Sequence, residues 1–455
     1  MKFINKIDVN AKYILSTIED AGYQAYLVGG CVRDMIMGVE PHDWDICTSA
    51  KPDEVKKIFK NLKVLDTGIK HGTVTVVIGD EFYEVTTFRC DGEYIDHRKP
   101  KKVSFTDNIF LDLERRDFTI NAMAYSLDEG LKNPFGGYED IKSGIIRCVG
   151  NPDDRFNEDA LRILRALRFS ARLGFEIDVK TASAIKKNKN LLLSISSERV
   201  NSELVKILSS RNCGNRVLRE YSDVIYTIIP ELKKMEGFSQ NNLNHVFDVW
   251  EHTLHCMDYE VMDIESDIIV RLAVLLHDIG KPETYIKDYD GIGHFYGHAK
   301  VSAEMASGVL NRLRFSNDIR EKVIELIKYH DTQIIPDRVF IKRMLNKLGY
   351  EQFERLLKLK EFDIYGQNRD IVSWAEKKSR LVEVYPILSS IREEDECFKV
   401  TDLNIDGHDL IALGIPQGKD IGVLLKELLS KVISGSIEND KEILLLEVEK
   451  IIKSN

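Results

Sequence analysis

The sequence predicts an α+β protein in which a small mixed head is followed by a long all-α body. Three observations lead there. Strand-like runs crowd into the first 145 or so residues, helical periodicity dominates from about residue 150, and no low-complexity linker interrupts the chain. With 455 residues, 43% of them hydrophobic, the chain has room for two to four domains with real cores and is not a disordered protein.

The elements follow in order. The opening stretch "MKFINKIDVNAKYILSTIEDAGY" is amphipathic and carries acids, so it reads as a first helix and not as a signal peptide. "AYLV" is a short apolar strand ending at Gly29-Gly30, and "CVRDMIMG" is a helix of one to two turns closed by Gly38. "TVTVVIGDEFYEVTTFR" holds two β-branched and aromatic runs around Gly79-Asp80, a hairpin pattern. Beyond residue 150, "EDALRILRALRFSARLGF", "ERVNSELVKILSS", "DIIVRLAVLLHDIG" and "EKVIELIKYH" read as helices.

Composition narrows the function. No run of about 18 uncharged apolar residues predicts a membrane-spanning helix. A net charge of −10 argues against a protein coated in basic charge but leaves room for a local basic stripe. Seven scattered cysteines without a C-x-x-C pair fit a reducing cytoplasm and argue against a zinc–cysteine site.

The first chemistry-bearing stretch is "YLVGGCVRDMIMGVEPHDWDICTS". Asp43 and Asp45, placed on a strand, share one face, so their carboxylates converge as a Mg²⁺ site requires. Gly29-Gly30 lets backbone approach a triphosphate, the helix that follows offers N–H groups to it, and Arg33 reaches toward the phosphates. Glu84, in "FYEVTTF", is a candidate third carboxylate on a neighbouring strand.

The second is "RFNEDALRILRALRFSARLGF". Helical spacing puts Arg162, Arg165, Arg168 and Arg172 on one side and Ala160, Ile163, Leu164, Leu167 and Ala171 on the other. Glu158 and Asp159 flank Arg162 on the polar side. Four arginines exceed what two acids neutralise, which favours a phosphate-facing stripe over a salt-bridged surface helix.

These residues carry a resemblance. "LVGGCVRDMIMG", "HDWDICTSAKPDEV", "DGEYIDHRKPKKVSF", "DLERRDFTINAMAY" and "NPFGGYEDIKSGIIRCVGNPDDRFNEDALRILRALRF" follow one another in the order of the bacterial and eukaryotic type of tRNA nucleotidyltransferases and bacterial poly(A) polymerases. These are a branch of the polymerase-beta-like nucleotidyltransferases. The resemblance implies a Mg²⁺-dependent, cytoplasmic enzyme acting on tRNA, CTP and ATP, with Asp43 and Asp45 catalytic and metal-holding. It places Gly30, Arg33, Arg116, Asp159, Arg162, Arg165 and Arg168 at the nucleotide, with Asp159 and Arg162 on the Watson–Crick edge. Asp117 and Asn121 would brace them. The basic stretch of Arg98, Lys99, Lys101 and Lys102 resembles the family's flexible loop, which bears on the switch from CTP to ATP. The alternatives within the family are a poly(A) polymerase or an A-adding enzyme.

A third constellation lies in the body: His245, His252, His255, His277-Asp278, His298, His330 and Asp363. Neutral imidazoles and carboxylates suit a divalent transition metal. The set resembles the HD superfamily of metal-dependent phosphohydrolases. By that resemblance His252, His277, Asp278 and Asp363 are ligands, with His298 and His330 serving a second metal. The domains expected are a nucleotidyltransferase head (1–148), a nucleotide-selecting and RNA-binding neck (149–240), an HD-type helical domain (241–370) and a C-terminal helical tail (371–455) that resembles the family's tRNA-binding end.

Overall fold

The computed structural model describes residues 7–92, 94–95, 99–100, 103–242, 246–259, 267–370 and 372–454. His245, Arg98, Lys101 and Lys102 lie outside them, as does the side chain of Lys99. The chain forms two compact units, one of residues 1–233 with Arg312–Phe315 and one of residues 234–311 with 316–455.

The first unit starts with a helix, Val9–Asp20, whose first turn is capped by the Asp8 carboxylate. Seven strands follow: β1 (Ala25–Val28), β2 (Ile46–Thr48), β3 (Lys63–Gly68), β4 (Thr73–Ile78), β5 (Glu81–Thr87), β6 (Ala124–Ser126) and β7 (Gly130–Lys132). They make one sheet in the order β7-β6-β1-β2-β5-β4-β3. All neighbours are antiparallel except β2 and β5, which run parallel with Ile46 beside Val85. β1 is buried along its whole length, as an apolar central strand should be. β5 alternates, with Tyr83 and Val85 inward and Glu84 outward. Its hairpin to β4 turns at Gly79-Asp80, where Gly79 takes φ +61°.

Asp43 and Asp45 precede β2 and do not lie within it. The sheet ladder reaches them all the same, because the Val28 N–H donates to the Asp45 carbonyl at 3.0 Å.

The stretch expected to be one helix from Glu158 onward is two, Pro152–Glu158 and Leu161–Leu173. Asp159 is extended (φ −139°) and accepts from the Leu161 N–H at 3.1 Å. A short acid favours capping a helix over continuing one, and that preference breaks the run here. The apolar side of the second helix packs as its spacing predicts. Ala160, Ile163, Leu164, Leu167 and Ala171 are all fully buried.

The second unit is helical apart from one short strand pair. Helices Val249–Met257, Ile268–Leu276, Asn317–Tyr329 and Tyr350–Gly366, with the helix beginning at His298, bring the expected histidines together. Toward the C-terminus Leu410, Leu428, Leu444 and Val448, all fully buried, centre a further core. Among the described residues, no helix is long and apolar enough to cross a membrane.

Phe118 is fully buried and packs edge-on against Phe169, with ring centroids 5.7 Å apart. Phe118→Ala is therefore expected to cost about 3–5 kcal/mol, measured by urea unfolding.

Candidate active site

The site begins at the β1 turn. Gly29 takes φ +75°, and a Cβ there would lie 3.1 Å from Arg116 Nη1. Conformation and space thus both require glycine. The helix Gly30–Met37 starts at once and ends at Gly38, whose N–H returns to the Asp34 and Met35 carbonyls.

Continuing the β2–β5 register back by one residue sets Asp45 beside Glu84. Burial pushes the Asp45 carboxyl up, and the Glu84 and Asp43 charges add to that, with Arg116 opposing. The residue as a whole remains exposed to solvent, so the crowding concerns its immediate neighbours. Three carboxylates that repel one another are an arrangement a divalent cation relieves.

Arg116 and Arg115 share one buried counter-charge. Asp112, fully buried, meets Arg115 Nη2 at 2.7 Å and Arg116 Nη2 at 3.2 Å. Arg116 Nε is buried with no hydrogen-bond partner in the structure.

Arg33 is buried, and its Nη1 donates to Asn121 Oδ1 at 2.8 Å. Asn121 Nδ2 in turn approaches Asp117 Oδ1 at 3.4 Å, and Arg165 Nε donates to Asp117 Oδ2 at 2.7 Å. Burial pushes the Asp117 carboxyl up, but Arg165 and Arg162 outweigh it and hold the group at about 2. Phe169 lies among three guanidinium groups, with its ring centroid 4.6 Å from Arg168, 5.4 Å from Arg33 and 5.6 Å from Arg165.

For Arg162, Arg165 and Arg168 the expectation of unneutralised arginines does not hold. Arg162 Nη1 donates to Glu158 at 2.9 Å and its Nη2 to the Arg115 carbonyl at 2.8 Å. Arg165 pairs with Asp117, and Arg168 with Glu203 at 3.1 Å. Two of the acids, Asp117 and Glu203, come from elements distant in sequence, which counting along one helix cannot see. Asp159 is held by Arg199 Nη2 at 2.9 Å, and Arg199 Nη1 is buried with no hydrogen-bond partner in the structure.

Sequence reasoning missed Asp112, Phe169, Arg199 and Glu203. Two pairs left a signal. Asp112 precedes Arg115 and Arg116 at i,i+3 and i,i+4, and Arg199 and Glu203 stand four apart on the helix Ser197–Leu208.

The helical unit brings together His252, His277, Asp278, Asp363, His298 and His330. His252 Nε2 lies 3.2 Å from Asp363 Oδ1 and 3.5 Å from Asp278 Oδ2. His277 Nε2 lies 3.1 Å from Asp278 Oδ2. The His298 and His330 Nε2 atoms are 3.1 Å apart, each 3.6 Å from Asp278 Oδ1. All four rings turn Nδ1 to a backbone carbonyl: Gly366 at 3.0 Å, Val274 at 2.8 Å, Phe295 at 2.8 Å and Ile327 at 2.6 Å. Each Nδ1 then carries the hydrogen, so four Nε2 lone pairs converge on two carboxylates. Such a donor set is of the kind a divalent transition metal takes. Lys281 Nζ reaches Asp278 Oδ2 at 2.7 Å, and a cleft of about 460 Å³ lined by Asp278, Lys281, His298, His330, Asp363 and Lys377 opens beside it. His255 is not part of the cluster and stacks on Phe247 at 4.0 Å.

The depressed Asp117 carboxyl fixes a pH signature. A lowered folded-state value stabilises fully above the unfolded value near 4 and is lost as pH falls toward 2. Asp117→Asn should cost about 2 kcal/mol at pH 7 and progressively less below pH 4, read from urea midpoints of both proteins.

Comparison with known proteins finds relatives along the whole chain. Residues 25–147 match the family "Poly A polymerase head domain", residues 174–235 match "Probable RNA and SrmB- binding site of polymerase A", and residues 291–448 match the tRNA nucleotidyltransferase domain 2. The CCA-adding enzyme of Lactobacillus helveticus is 52% identical over 434 residues, 95% of each chain. That of Ligilactobacillus salivarius is 34% identical over 450 residues, covering 97% of this chain and 96% of the other. The crystal structure of the Bacillus stearothermophilus CCA-adding enzyme in complex with CTP superposes over the whole of both chains with a TM-score of 0.69 at 28% identity. The Thermotoga maritima enzyme complexed with tRNA shares the fold, with a TM-score of 0.61 at 22% identity. With its carboxylate cluster, Gly-Gly turn and arginine helix in place, and relatives this similar end to end, the chain belongs to the CCA-adding enzyme family of nucleotidyltransferases.

Proposed function

We propose that this protein builds or repairs the 3′-terminal CCA of tRNA from CTP and ATP, without a template strand. The observation that carries this reading is Asp45 set beside Glu84, with Asp43 close by, next to a Gly-Gly turn that opens a helix. The tRNA 3′ oxygen forms a bond to the nucleotide α-phosphorus. The bond from that phosphorus to the β-phosphate oxygen breaks, and pyrophosphate leaves. Asp43 and Asp45 are the residues to hold Mg²⁺, with Glu84 closing the set. Magnesium bound there would make the attacking hydroxyl more acidic and neutralise charge on the leaving group. The N–H groups at Gly30 and the Arg33 guanidinium face the triphosphate, and Arg116 offers a buried Nε donor.

Nucleotide choice falls to Asp159 and Arg162. A carboxylate accepts from the exocyclic amino group that C and A carry where U and G carry a carbonyl. Arg162 has five donors, and its bonds to Glu158 and Arg115 engage two nitrogens only. Arg165 and Arg168, fixed by Asp117 and Glu203, present the remaining positive charge to the nucleotide. Family membership along the whole chain favours CCA addition over poly(A) synthesis or A-only addition. Seven cysteines, six of them buried and none in a disulfide among the described residues, support a cytoplasmic setting.

The helical unit would hold a second divalent transition metal through His252, His277, Asp278 and Asp363. The convergence of the His252 and His277 Nε2 atoms on the Asp278 and Asp363 carboxylates supports that assignment.

Three outcomes test these readings. Wild-type protein with Mg²⁺ and tRNA lacking CCA should incorporate CMP and then AMP, while Asp43→Ala should fall to background; normal turnover in that variant would remove the metal assignment. Asp159→Ala should lose about two orders of magnitude or more of its preference for CTP over UTP, in a single-turnover competition. His277→Ala should retain less manganese, nickel or zinc than wild type after dialysis, measured by elemental analysis.

A further inference from the structure

The cleft beside the His–Asp cluster continues into a second cavity of about 300 Å³, and the two share Asp331, Asp363, Gln367 and Lys377 in their walls. Three cations line the second cavity: Lys360, Lys377 and Arg380. Its acids are Asp331 and Asp363, and Asp363 already belongs to the proposed metal set. Positive charge is therefore in excess beside the cluster, where holding a metal does not call for it.

These cations have donors to spare. Among the described residues Lys360 makes neither a hydrogen bond nor an ion pair. Lys377 Nζ donates to Gln367 Oε1 at 2.8 Å, which leaves two of its three N–H groups. Arg380 meets Glu376 only loosely, at 3.8 Å. Lys360 stands three residues before Asp363 on the helix Tyr350–Gly366, so the lysine and the cluster carboxylate share one side of it. Both lysines are half-buried, and burial lowers both ammonium groups below the ordinary lysine value although Asp363 and Asp331 oppose it. The acids present thus do not fully repay the burial of these charges, and an anion would. The wall of the first cleft is aromatic. Tyr296, 72% exposed, lies parallel to the His294 ring with centroids 5.4 Å apart, and Asp288 holds His294 Nε2 at 2.7 Å. A braced and exposed ring of this kind is a platform for a nucleobase.

We infer that Lys360, Lys377 and Arg380 form a pocket for an internal phosphodiester of a polynucleotide whose terminal phosphate lies at the His–Asp cluster and whose end base stacks on Tyr296. The placing of the terminal phosphate rests on the reading that the helical unit holds a metal; the lysine pocket stands on its own cavity. A free mononucleotide has no second phosphate to put there, so the cleft prefers a chain end to a mononucleotide. The continuity of the two cavities lets one ligand reach both, and the shared wall at Asp363 and Lys377 sets the two phosphates side by side. Ammonium and guanidinium groups suit the two roles a phosphodiester offers, a point of charge and a pair of oxygens.

Calorimetric titration of the full-length protein, metal-free and zinc-loaded, with uridine 3′-phosphate and with uridylyl-uridine 3′-phosphate tests this. Uracil is chosen because the nucleotide site proposed in the head rejects it. The dinucleotide should bind the wild type about tenfold or more tighter than the mononucleotide, the gain expected from a charge-assisted phosphate contact. Lys360→Ala combined with Lys377→Ala should erase that difference while CMP incorporation into tRNA stays normal. Tyr296→Ala should weaken both ligands about fivefold or more and leave their ratio unchanged. Equal affinities in the wild type, which need no variant, or a difference that survives the double substitution would overturn the pocket. Two ligands indifferent to Tyr296→Ala would overturn the stacking. Elemental analysis of the same samples separates the pocket from the metal. A protein that holds zinc but shows no dinucleotide advantage loses the pocket and keeps the metal reading. One that takes up no metal and still shows the advantage keeps the pocket and loses the metal reading.

Discussion

The first unit depends on one buried ion pair, between Asp117 and Arg165. Asp117 is fixed from behind, since its carbonyl accepts from the Val149 N–H at 3.1 Å and its Oδ1 from the Phe118 N–H at 2.8 Å. Burying a carboxylate costs several kcal/mol unless its lone pairs are filled. Here backbone and guanidinium fill them. The consequence is positional. Through Asn121 the same carboxylate sets Arg33, on the helix that follows the Gly-Gly turn, and through Arg165 it engages the arginine helix. Both helices are thereby tied to one reference point.

Phe169 shows what the ion pair must manage. Three guanidinium groups surround its ring, and like charges so close repel. The ring's negative face offsets part of this, and Asp117 and Glu203 supply the rest. Arg165 and Arg168 are thus held by Asp117 and Glu203, and Arg33 by Asp34 at 2.7 Å. An arginine held in that way loses little conformational entropy when a nucleotide arrives.

Local chemistry was legible in the sequence, and distant pairing was not. The Gly-Gly turn, the Gly38 stop, the Gly79-Asp80 hairpin and the apolar side of the arginine helix follow from period and turn residues within a few positions. The helix break at Asp159 was missed because helical periodicity runs across it, while the capping preference of a single aspartate decides the outcome. Glu203 and Arg199 were missed because they act across some 35 to 40 residues of chain. In the helical unit the histidines and aspartates announced themselves by type.

Choosing a base without a template asks that one carboxylate stay in place while the substrate changes. Asp159 is suited to this by three restraints. Its backbone is extended at the break between two helices, its Oδ1 caps the second through the Leu161 N–H, and Arg199 grips both oxygens, at 3.3 and 2.9 Å. Arg199 is itself on the helix Ser197–Leu208, which supplies Glu203 to Arg168 one turn later. One helix therefore clamps the arginine helix at its start and again in its second turn, and two such clamps allow neither rotation nor sliding. The metal-facing carboxylates Asp43, Asp45 and Glu84 take no part in that clamp. Under the proposed reading they meet phosphate and sugar, which CTP and ATP share. On the proposed assignment catalysis is indifferent to the base, and the carboxylate proposed to select it has its position set by the fold.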